Sequence, residues 1–119
     1  MKYRLTGETC EVNGRTLHQI ERTADGERGG FIEGEGNLSQ DGNAWVHASG
    51  LAYEGARVVE DAQVFGKIHG HAAIRGHAEL HGEAYGNSVI ADHAKVYGLV
   101  VGNAAILGEQ VVAKDDSMR

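Results

Sequence analysis

The sequence contains no proline, one cysteine and few aromatics: four tyrosines, two phenylalanines and one tryptophan in 119 residues. A lone Cys10 excludes an internal disulfide framework and a cysteine-based zinc site. Without proline, and without glycine at every third position, the chain is not collagen-like. No apolar run approaches the ~20 residues of a membrane-spanning helix. The opening MKYRLTGETC lacks the apolar centre of a secretory signal. Basic residues are outnumbered, 11 Lys and Arg against 17 Asp and Glu, for a formal charge of −6. An acidic chain repels phosphate, so neither nucleic acid nor an anionic membrane is the expected partner. The expected location is the cytoplasm of the bacterial host or producing cell.

An apolar content of 41% argues against disorder. The length fits one domain. With so few large rings, the core must be packed from small side chains. Glycine is abundant, at 18 residues.

The chain reads in three parts. Residues 1–40 are irregular and form an N-terminal hairpin and capping segment. Asn13-Gly14 is the preferred pair for a two-residue type I′ turn. That register sets Cys10 opposite Leu17 and puts Tyr3, Leu5 and Ile20 on the other face. Residues 41–113 are repetitive, and residues 114–119 are a charged tail expected to fray.

The repeats begin with three six-residue units, NAWVHA, SGLAYE and GARVVE, and then lengthen to a period of sixteen. The segments DAQVFGKIHGHAAIRG, HAELHGEAYGNSVIAD and HAKVYGLVVGNAAILG align, and EQVVAK begins a further copy. From Ala62 to Gly108 every even position is aliphatic, Ala or Gly except Ser88 and Asp92. Odd positions hold nearly all the charged, histidine and aromatic residues. A period of two is that of a β-strand with one face buried, yet no single strand runs so far. The chain must fold back repeatedly without losing parity, turning at glycines. Stacked coils of this kind form a β-solenoid.

Stacking predicts three inward columns: Val46–Val64–Leu80–Val96–Val112, Ala52–Ile68–Ala84–Val100 and Val58–Ile74–Ile90–Ile106. Three columns imply three faces. Each buried Ile or Leu contributes ~1.5–3 kcal/mol, so a one-residue slip is costly. The fold class is therefore all-β, a three-faced solenoid of about four coils behind a hairpin cap.

Units such as NAWVHA, DAQVFG, HAAIRG, HAKVYG and NAAILG resemble the hexapeptide repeats of left-handed β-helix proteins. With KYRLTGETCEVNGRTLHQIER and GGFIEGEGNLSQDGNAWV before them, nearly the whole chain is similar to prophage- and phage-borne hexapeptide-repeat proteins, often labelled transferases. The resemblance implies left-handed coiling and a phage context, with no agreed activity. The chain departs from that pattern by a shorter link between Ala24 and Gly29 and by coils that shrink from eighteen to sixteen residues.

The outward residues suggest three sites. Asp61, His77, His93 and Glu109 fall in one column, and His with carboxylate at strand spacing is a donor set for a divalent metal; no other cofactor is expected. Phe65, His81 and Tyr97 form a ring column, with His69 and Tyr85 beside it, suited to contact with a partner or a flat ligand. Val59, Ala73, Val89, Ala91, Ala105 and Leu107 form an apolar face, which on a soluble protein marks an interface; a homo-oligomer, trimer or dimer, is expected. The coils from 61 to 108 run without an insertion that could project over a substrate. The expected activity is non-enzymatic: a rigid, acidic, oligomeric surface that binds a host protein, for example a defence component. Alternatives are an acyltransferase-like or His-metal enzyme and a structural virion or assembly part.

Overall fold

The computed structural model describes all 119 residues. Strands β1 (Tyr3–Val12) and β2 (Arg15–Arg22) form an antiparallel hairpin, and β3 (Arg28–Ile32) pairs antiparallel with β2. The turn residues Asn13 and Gly14 have φ of 50° and 77°, as a type I′ turn requires. Cys10 faces Leu17 and Leu5 lies opposite Ile20, as expected, but Leu5 stays in solvent. An irregularity between Leu5 and Thr9, at Gly7 with φ 98°, shifts the pairing. Tyr3 and Ile20 are buried, while Leu5 is 39% exposed.

Beyond β3 the chain winds into three parallel sheets of two-residue strands. The first face stacks β3, Leu51–Ala52, Lys67–Ile68, Glu83–Ala84, Leu99–Val100 and Ser117–Met118. The second stacks Arg57–Val58, Ala73–Ile74, Val89–Ile90 and Ala105–Ile106, with Leu38 bridged to Val58 as a further rung. The third stacks Trp45–Val46, Gln63–Val64, Glu79–Leu80, Lys95–Val96 and Val111–Val112. All three expected columns pair in register and are buried throughout. Alanines fill the corners between them: Ala62, Ala78 and Ala94 before the third face, Ala56, Ala72 and Ala104 before the second.

The solenoid is longer than the four coils expected. It begins at β3 and Leu38, inside the segment read as cap, and its first face has six rungs. The first coil replaces a glycine corner with a 3-10 turn, Glu35–Asn37. Buried Asn37 holds it: Oδ1 accepts from the Glu33 and Gly34 amides, and Nδ2 donates to Glu54 O and Ala56 O. The tail, expected to fray from Lys114, instead carries Ser117–Met118 paired with Leu99–Val100, its side chains exposed.

The step from eighteen to sixteen residues lies at one corner. Between third and first faces the outer coils use four residues, His47–Gly50 and 113–116, while the inner coils use two: Phe65-Gly66, His81-Gly82 and Tyr97-Gly98. There Leu80 O accepts from both Phe65 N and Gly66 N, and Val96 O from both His81 N and Gly82 N. A Cβ at Gly66 or Gly82 would overlap the carbonyl of the equivalent glycine one coil on, so only glycine allows the shortcut.

The hairpin closes the N-terminal end of the core. Tyr3 packs edge-on to Trp45 at 6.4 Å and donates its hydroxyl to Leu38 O at 2.6 Å. The Arg22 guanidinium lies 4.6 Å above the Trp45 ring. In β3, Gly29 and Gly30 pass so close to Val46 and Gly50 that no Cβ fits.

Candidate functional site

Parity and the in-register stack together line up rings along two corners. The corner after the third face carries His47, Phe65, His81 and Tyr97, with successive centroids 4.0, 4.5 and 4.7 Å apart and planes within 12° of parallel. The corner after the first face carries Tyr53, His69 and Tyr85, each step 4.8 Å. The structure thus brings Phe65, His81 and Tyr97 together, and His69 with Tyr85, as the sequence suggests. It adds His47 and Tyr53, which sequence reasoning missed although each follows an inward residue, Val46 and Ala52, as Phe65 follows Val64.

Stacking decides what the ladders can do. The faces of Phe65, His81 and His69 are covered above and below by neighbouring rings. A flat ligand therefore finds no open face on these three; solvent meets ring edges. The edges are fixed by hydrogen bonds. His47 Nε2 is 2.7 Å from Gln63 Oε1, and His81 Nε2 is 3.0 Å from Glu79 Oε1. His69 is held most firmly, with Nε2 2.8 Å from Glu83 Oε2, Nδ1 3.3 Å from Glu54 Oε1, and only 16% of its side chain exposed.

The second ladder is tied to the hairpin. Arg15 reaches Glu33 at 2.9 Å and Glu54 at 3.6 Å, and Asn13 Nδ2 lies 3.4 Å from the Tyr53 hydroxyl. Glu54 takes the Gly70 amide at 2.9 Å. That amide, then His69 and Arg15, hold its carboxyl below the ordinary range. Burial, then the charges of Glu83 and Glu54, pushes the Tyr53 phenol up.

Of the metal candidates, His77 and His93 stack at 5.1 Å with planes 4° apart, and Asp61 Oδ2 lies 3.7 Å from His77 Nε2. Asp61 Oδ1 accepts from the Asn43 amide and side chain at 3.2 Å. Parallel rings direct their lone pairs along parallel planes instead of toward one point. No three His, Cys, Asp or Glu side chains converge on a common position, and Glu109 stands exposed at the end of the column.

Among the interface candidates, Val59, Ala73 and Val89 are half-buried, and Ala105 and Leu107 are exposed. Ala91 was expected on the surface but is buried, 2% exposed, within the single chain. Its methyl is too short to clear the corner where Arg75 and Leu107 flank it one coil to either side.

A cavity of about 600 Å³ lies between hairpin and first coil, lined by Lys2, Arg22, Gln40, Asn43 and Trp45 among others. Its ammonium is spent inward: Lys2 Nζ donates to Asp41 O, Gly42 O and Ala44 O. No helix is long and apolar enough to cross a membrane. The chain matches no family model, no curated protein and no solved structure.

Proposed function

We propose that the protein acts by binding: a phage-type hexapeptide-repeat protein that presses the His47–Phe65–His81–Tyr97 corner against a host protein, for example a component of a defence system. The supporting observation is the locked ladder. Four rings stacked at 4.0–4.7 Å, two of them pinned to Gln63 and Glu79, present a rigid line of ring edges. A surface ordered before contact loses little side-chain entropy on binding. Tyrosine and histidine edges offer apolar area with a polar rim, the composition of contact surfaces. The net charge of −6 favours a partner with a basic patch.

The test is a stoichiometric complex formed in host lysate and rebuilt from purified components. Tyr97→Ser with Phe65→Ser should weaken it at least tenfold while the circular dichroism spectrum is kept. A complex equally tight with the ladder variant, or no complex with any host protein, would overturn the reading.

A further inference from the structure

We infer that the second face is the contact surface of a two-fold dimer, with a second copy of this chain docked on it and the two solenoid axes antiparallel. The surface is separate from the ring ladders, so the inference stands independently of the host-protein reading.

The face is flat and its polarity is graded. Its outward strand residues are Arg57, Ala73, Val89 and Ala105, in register over three coil steps, or roughly 14 Å at strand spacing. After the first rung none is charged. The neighbouring faces carry Lys67 and Glu83, and Glu79 and Lys95, at the equivalent rungs. Along one border run Val59, Arg75, Ala91 and Leu107, with Leu107 45% exposed.

Charge supplies the orientation. Arg57 and Arg75 are exposed, lie at the N-terminal end of the face and take part in no ion pair. The acids at that end are engaged, Glu60 with the Gly76 amide and Asp61 with Asn43 and His77. At the other end Asp92 holds the Gly108 amide as Glu60 holds that of Gly76, but Glu109 is exposed and unpaired and no lysine or arginine stands on the last two rungs. A two-fold contact must be self-complementary. Reversing the second copy end for end brings its acidic end to Arg57 and Arg75, sets Ala73 against Val89 of the partner subunit and Val59 against Leu107 of the partner subunit. A parallel two-fold would instead lay the Arg57 side chains of the two copies against each other.

Native mass spectrometry and short bis-maleimide cross-linking in a Cys10→Ser background test this. The expected mass is twice the 12.7-kDa chain. Mixed Val59→Cys and Leu107→Cys proteins should cross-link to each other, while Ala105→Cys alone, three coil steps or roughly 14 Å from its own copy along the axis, should not. Arg57→Glu with Arg75→Glu should raise the dimer dissociation constant at least tenfold with an unchanged circular dichroism spectrum, and added Glu109→Arg should recover part of that loss. A monomer at tens of micromolar, a trimer, or efficient 105-to-105 linkage would overturn the inference.

Discussion

Three acidic residues sit in left-handed backbone where the repeat otherwise uses glycine: Glu54, Glu60 and Asp92, with φ of 59°, 60° and 62°. Each hands its carboxylate to the amide of the glycine one coil on, Gly70, Gly76 or Gly108. The left-handed strain is ~1–2 kcal/mol, and a charge-assisted bond to an amide returns about as much. Glu60→Ala keeps the strain and loses the bond, so urea unfolding should show a loss of ~1–2 kcal/mol. Glu60→Gly loses both and should be nearly neutral. Gly82→Ala belongs to another class, because its Cβ would overlap the Gly98 carbonyl. It should cost more than ~3 kcal/mol or abolish folding. Glu54 has a depressed carboxyl, so it stabilises the fold above the ordinary value of 4.5 and loses that contribution as pH falls below it. The stability difference between the native protein and Glu54→Gln should shrink as pH falls below 4.5.

Burial, then the charge of Glu35, pushes the Tyr3 phenol up to about 12. A raised folded value means that the contribution is complete below the free phenol's 10 and is lost as pH climbs from 10 toward 12. The stability read by equilibrium unfolding should therefore fall over that window in the native protein and less steeply in Tyr3→Phe. Much of the element structure was legible because a strand's period of two is simple: parity placed the three inward columns from Val46 to Val112, and the sixteen-residue register placed Phe65, His81 and Tyr97 on one line. What was hidden has local causes. The first coil turns on Asn37, a buried amide that looks like a loop residue in sequence. His47 escaped because eighteen residues separate it from Phe65, two more than the repeat; Tyr53 lies one regular sixteen-residue step before His69, and the same register would have placed it. The last rung, Ser117–Met118, was missed because no glycine or aliphatic column announces it. The parallel stack of His77 and His93 depends on ring orientation, which spacing does not encode.

For the whole molecule, the core is one continuous column set closed at its N-terminal end by Tyr3 and Trp45. Ile74, fully buried at the middle of the second face between Val58 and Ile90, has neighbours on every side. An unpaired carboxylate there has no compensating partner, so Ile74→Asp should yield no folded protein; a soluble variant with an unchanged thermal midpoint would contradict that placement. The outside of the same prism carries ring edges along two corners and an apolar strip on the second face. We propose that the protein works through a ladder contact with a host protein. Native mass spectrometry of the complex rebuilt from purified components tests it most directly, comparing the ladder variant Phe65→Ser/Tyr97→Ser with the second-face variant Arg57→Glu/Arg75→Glu. The expected result is a fixed-ratio complex that the ladder variant loses and the second-face variant keeps. A complex that survives the ladder variant, or a protein that carries a stoichiometric small molecule or metal ion and no host protein, would contradict it.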